Sequence, residues 1–193
     1  MPFHLRAELR AKTVLAVFAA TVAAASILAG AAAAAAETEA AGWRVNEADG
    51  QIQAFVSAEV GEGPSAGTAY LGFFCGPQPV VRLRVPVPGG RPAGKTDPVR
   101  VTFEAGDDLF VTTLDAALSA PADGRSELTA ERSVIEPADA DTLRDFARFL
   151  RDAGGSELRL TGAGAPTSFR LPLEGAKAAL SRYLGACAPL APQ

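Results

Sequence analysis

The 193-residue chain carries 18 lysines and arginines against 22 aspartates and glutamates, a net charge of −4, and 48% of its residues are hydrophobic. That acidic balance excludes nucleic acid as an expected partner, because phosphate binding needs a basic surface. One histidine and two cysteines are too few for a thiolate cluster or a histidine-bound zinc site, so no metal or other cofactor is expected.

Arg6, Arg10 and Lys12 precede an apolar run from Val14 to Ala36, and Glu37 and Glu39 mark the return of polarity. Positive start, apolar stretch and small-residue end follow the order of a secretory signal peptide. The expectation is a leader over residues 1–36, cleaved near Ala36, and a single exported domain over residues 37–193, periplasmic or secreted. The run of 23 residues is long enough to cross a bilayer, but it is mostly alanine and ends in Ala34-Ala35-Ala36. Only an uncleaved leader would make the membrane a partner. Cleavage removes His4, the one histidine, which excludes Ser-His-Asp and Cys-His catalysis within the chain. It also takes away Glu8 with three basic residues, so the net charge moves from −4 to about −6.

In chain order, Trp43 and Val45 lead to Ala48-Asp49-Gly50, beyond which Ile52, Ala54 and Val56 alternate with Gln51, Gln53 and Phe55. An Asp-Gly turn between two such stretches predicts a hairpin. Residues 61–67 form a loop by composition, and Thr68 to Cys75 predicts a buried strand ending at Gly76-Pro77. The clearest alternation sets Val81, Leu83, Val85 and Val87 against Arg82, Arg84 and Pro86, placing apolar side chains on one sheet face and arginines on the other. Val99, Val101 and Phe103 repeat it against Arg100, Thr102 and Glu104. The proline- and glycine-rich stretch between them, residues 88–98, predicts a mobile hairpin loop.

Gly106-Asp107-Asp108 turns the chain into a strand over Leu109 to Leu114, and a weaker strand is expected within Glu127 to Ile135. Glu136-Pro137 opens a helix, since proline is tolerated where a backbone N–H has no partner. Leu143, Phe146, Ala147 and Leu150 supply its apolar face, and Gly154-Gly155 ends it. Leu158-Leu160 and Phe169-Leu171 predict a second hairpin, and a last helix runs from about Glu174 to Leu184. The order carries no strand–helix alternation of the kind that implies a parallel sheet. The predicted class is α+β, a mostly antiparallel, sandwich-like sheet with two helices in the C-terminal third.

An exported chain can hold disulfides, and Cys75 and Cys187 are an even pair. One bridge between them is expected; two separate buried thiols are the alternative. Arg82 and Arg84 share a strand face, and Arg100 joins them if the two alternating strands pair. Guanidinium groups on a stiff sheet bind carboxylate or phosphate in bidentate fashion, so this is the candidate face for an anionic partner such as cell-wall carboxylates or lipid head groups. The plainer reading is a solvated face balanced by Glu104.

Asp107, Asp108 and Asp115 are the densest carboxylates among the strands, and paired carboxylates can hydrolyse glycosides; without aromatic sugar platforms nearby, turn chemistry is the better account. Asp139, Asp141 and Asp145 belong to a helix start, where capping and dipole complementarity favour acids. Trp43 is expected as a core anchor. The glycines at 162 and 164 lack the lysine of a phosphate loop.

The segment from Phe169 to Leu180, closing with Leu184 and Cys187, resembles the ending of small exported bacterial proteins of the invasion-associated locus B family and of a periplasmic accessory family of type VI secretion. In the second family a terminal cysteine is usual, and an earlier strand cysteine is similar to Cys75. The resemblance implies an exported, non-enzymatic protein whose role is interaction with a protein or envelope partner, and it transfers no catalytic residues. The expectation is a binding or adaptor protein accessory to a secretion or envelope system. An inhibitor of a secreted enzyme, presenting residues 88–98, and a histidine-free hydrolase acting through carboxylates are the rival readings.

Overall fold

The computed structural model describes residues 42–190 except 49, 63–65, 89–91, 120–124 and 163–167. The leader expected over residues 1–36 lies outside the described residues. So do Asp49 and much of the glycine-rich turn near residue 164.

The elements are β1 (Arg44–Ala48), β2 (Gln51–Val60), β3 (Gly67–Cys75), β4 (Val80–Pro88), β5 (Gly94–Lys95), β6 (Val99–Ala105), β7 (Asp108–Leu118), β8 (Arg125–Ser133), α1 (Pro137–Asp152), β9 (Glu157–Thr161), β10 (Phe169–Pro172) and α2 (Ala176–Ala186). The strands run in the order β1-β2-β3-β4-β8-β7-β6-β9-β10, with β5 added on β7, and every described pairing is antiparallel. The class is α+β, as the sequence predicts: a mostly antiparallel sheet with two helices near the end of the chain.

β7 is long enough to serve two parts of the sheet. Its first half pairs with β6, from Ala105 opposite Asp108 to Val99 opposite Leu114. Its second half pairs with β8, from Asp115 opposite Glu131 to Leu118 opposite Leu128. The sheet curls so far that the Trp43 amide donates to the Glu174 carbonyl at 2.8 Å, joining the start of β1 to the turn after β10.

The two helices fill the inner face of this half-barrel. Phe146 of α1 stands with its ring centroid 5.2 Å from Phe73, 4.5 Å from Phe103 and 4.7 Å from Phe110, so one side chain ties β3, β6 and β7 together. Tyr183 of α2 meets Phe73 at 5.7 Å, and Trp43, buried as expected, reaches Phe73 at 6.1 Å. Aromatic pairs at these separations add about 0.5–1.5 kcal/mol each beyond the area they bury. The start of α1 is held by Asp139, whose carboxylate accepts from the Glu136 and Ile135 amides at 3.0 and 3.1 Å and pairs with Arg132 at 2.8 Å. The end of α2 is fastened by the disulfide between Cys75, the last residue of β3, and Cys187, with Cα atoms 5.6 Å apart.

One predicted pairing does not form. β4 and β6 are not a hairpin: β4 lies between β3 and β8, while β6 lies between β7 and β9. β8 takes the place beside β4 because its own alternation matches. Leu128 and Ala130 go to the core and Glu127, Thr129 and Glu131 go outward, opposite the arginines of β4. Within the segment read as a loop, Gly94 and Lys95 pair with Leu118 and Ala117 as β5.

Candidate functional site

The outer face of β2, β3, β4, β8 and β7 is polar because the alternation that sends Val81, Leu83, Val85 and Val87 to the core sends Arg82 and Arg84 the other way. Strand register then sets the neighbours in rows. In one row Tyr70 stands opposite Arg84, Arg84 opposite Thr129, Thr129 opposite Ala117 and Ala117 opposite Lys95. In the next, Gly72 stands opposite Arg82, Arg82 opposite Glu131 and Glu131 opposite Asp115. Small side chains at Thr129 and Ala117 leave a depression between the larger ones. The result is an open cleft of about 870 Å³ whose wall includes Tyr70, Phe74 and six charged side chains: Arg82, Arg84, Lys95, Asp115, Glu127 and Glu131.

The arginines are held on both sides. Arg82 Nε donates to Glu131 at 2.9 Å and its guanidinium lies 5.3 Å from the Phe74 ring centroid. Arg84 approaches Glu127 at 3.9 Å and lies 4.8 Å from the Tyr70 ring. Arg44 repeats the motif over Phe55 at 4.9 Å. With side chains of Arg82 and Glu131 40% and 41% exposed, such a pair adds little stability. Its effect is to fix the direction of the guanidinium groups. Tyr70 lies among these groups, stacked on Phe55 at 5.9 Å and accepting a hydrogen bond from Gln53. Burial pushes its phenol above the ordinary value of 10.0, outweighing the Gln53 hydrogen bond and the nearby Arg84 and Arg82 charges.

Two charges in the cleft are free of such restraint. Asp115 and Lys95 make no ion pair or side-chain hydrogen bond among the described residues, whereas Arg44, Arg82 and Arg84 each have one or more partners. Asp115 stands directly across from Glu131, an arrangement of like charges that opposes strand pairing.

Arg100 is not part of this face. It is exposed on β6 opposite Thr113, because β6 is carried away by β7, and so it does not sit beside Arg82 and Arg84. Glu104, expected to balance the arginines, pairs instead with Arg159 at 3.4 Å. Asp107 occupies the β6–β7 turn and Asp108 opens β7, and Asp115 follows seven positions further along β7, on the order of 20 Å away at the rise of a strand. The three aspartates therefore do not share a site. Asp141 and Asp145 pair with Arg144 and Arg148 on their own helix. Among the described residues no group of three or more His, Cys, Asp or Glu side chains is placed to hold a metal ion.

Sequence reasoning singled out Arg82 and Arg84 but not Tyr70, Phe74, Lys95, Glu127 or Glu131. Their parity along the strand was available: Glu127 and Glu131 alternate with the buried Leu128 and Ala130, and Tyr70 and Phe74 alternate with Ala69, Leu71 and Phe73. No protein-family model, curated protein or solved structure matches this chain.

Proposed function

We propose that this chain is an exported, non-catalytic binding or adaptor protein, accessory to a secretion or envelope system, that takes its partner on the outer face of β3, β4, β8 and β7. The observation that carries the reading is the cleft in which Arg82 and Arg84 are oriented by carboxylates and aromatic rings before any partner arrives. Preorganised charge of this kind gives specificity and rate of encounter more than raw affinity, which suits recognition. The Cys75–Cys187 disulfide is compatible with export, and no helix among the described residues is long and apolar enough to cross a membrane.

The test is in-cell photocrosslinking from position 117 in the cleft, with position 109 as a control on another part of the outer surface, where Leu109 is 63% exposed. A discrete adduct is expected from 117, absent from 109, and lost when Arg82 and Arg84 are both replaced by glutamine. The same adducts from both positions, or no effect of the double replacement, would remove the reading.

A further inference from the structure

Resting on that reading of the cleft, we infer that its ligand is a short zwitterionic peptide, bound with its ammonium group between Asp115 and Glu131 and its carboxylate on Lys95. The wall carries three cations, Arg82, Arg84 and Lys95, and three carboxylates, Asp115, Glu127 and Glu131. A polyanion would meet as many like charges as opposite ones, and so would a polycation. A ligand bearing one charge of each sign, suitably separated, meets favourable groups at both ends.

The unsatisfied groups say where those ends go. Asp115 faces Glu131 across the β7–β8 pair with no cation of its own, although Glu131 holds Arg82 on its other side. An ammonium ion seated between the two carboxylates relieves the like-charge contact and can donate three hydrogen bonds. On β5, the ammonium of Lys95 lines the same cleft without a carboxylate partner among the described residues. Lys95 stands opposite Ala117, one strand over and two residues along from Asp115. Strand spacing and rise put the two positions on the order of 8 Å apart. A single α-amino acid is too short to bridge them, and an extended chain advancing about 3.5 Å per residue needs roughly two to four residues. The small side chain of Ala117 lies between the two ends, where the peptide backbone would pass.

Calorimetric titration of the full-length protein with trialanine, N-acetyl-trialanine, trialanine amide and glycine tests this. Trialanine is expected to bind. Acetylation or amidation should each weaken binding about tenfold or more, as loss of a charged hydrogen-bond partner implies, and glycine should bind more weakly than trialanine. Asp115→Asn should abolish the difference between trialanine and its acetylated form, and Lys95→Gln the difference between trialanine and its amide. Equal binding of all four probes, no binding of trialanine, or an acetylation penalty that survives Asp115→Asn would overturn the inference. If trialanine fails while the crosslink from position 117 persists and depends on Arg82 and Arg84, the peptide assignment falls and the binding face stands. If both fail, both readings fall.

Discussion

The phenol of Tyr70 lies over Gly72, in the space that any side chain at position 72 would occupy. The ring runs along β3 toward its own strand neighbour because Phe55 and the Arg84 guanidinium close the other directions. Gly72 is thus what allows an aromatic ring to lie flat on the outer face of the sheet.

Gly72→Ala should therefore displace Tyr70 and cost about 1–3 kcal/mol, the range for forcing extra volume into a packed site. In a Tyr70→Ala background the same replacement should cost almost nothing, because the obstructing ring is gone. Urea unfolding of the four proteins in this cycle measures the coupling. Equal costs in both backgrounds would show that Tyr70 does not occupy the space above Gly72.

The disulfide closes a loop with a sequence separation of 112 residues. In the chain-entropy account a loop of that length stabilises by roughly 4–5 kcal/mol. Cys75→Ser with Cys187→Ser, or a reducing agent added to the wild type, should lower stability by that order and loosen α2 first, since Cys187 sits at its end. A thiol titration of denatured, unreduced protein should find no reactive thiol; two would show that the bridge does not form.

Asp139 titrates below its ordinary value of 3.8, chiefly because the Glu136 amide donates to it, with further help from the Arg132 side chain and the Ile135 amide. A carboxyl group whose folded value is depressed stabilises the fold above its unfolded value, and that contribution disappears as pH falls through the folded value. With its side chain 19% exposed, Asp139→Ala should cost roughly 0.5–2 kcal/mol at neutral pH, the range for loss of a helix cap. The gap between wild type and mutant should narrow only below about pH 4. A gap that held constant into stronger acid would assign the loss to packing rather than to the carboxylate.

Both tyrosines of the chain are pushed upward by burial, Tyr183 more strongly than Tyr70. A phenol raised in the folded state leaves stability unchanged below its unfolded value of about 10 and removes it as pH climbs toward the folded value. Absorbance titration should show less tyrosinate in the native protein than in the unfolded chain at any pH just above 10. One of the two titrating at the ordinary value would place Tyr70 in open solvent.

The residues by themselves determined the elements and their faces. Period-two alternation is a local property, so Val81, Leu83, Val85 and Val87 announce both a strand and the side on which Arg82 and Arg84 stand. The ends of α1 are equally local, marked by Glu136-Pro137 and Gly154-Gly155. What alternation does not record is which strand lies next to which. Arg82 finds Glu131, 49 positions away, rather than joining Arg100 across the nearer loop. Closing a loop of twice the length costs only about 0.6 kcal/mol more, so burial of the inner faces against Phe146 and Tyr183 outweighs nearness in sequence. Only the tertiary structure could decide that β8 lies between β4 and β7, and with that decision came the cleft, its three charges of each sign, and within it Asp115 and Lys95, which have no ion-pair partner among the described residues.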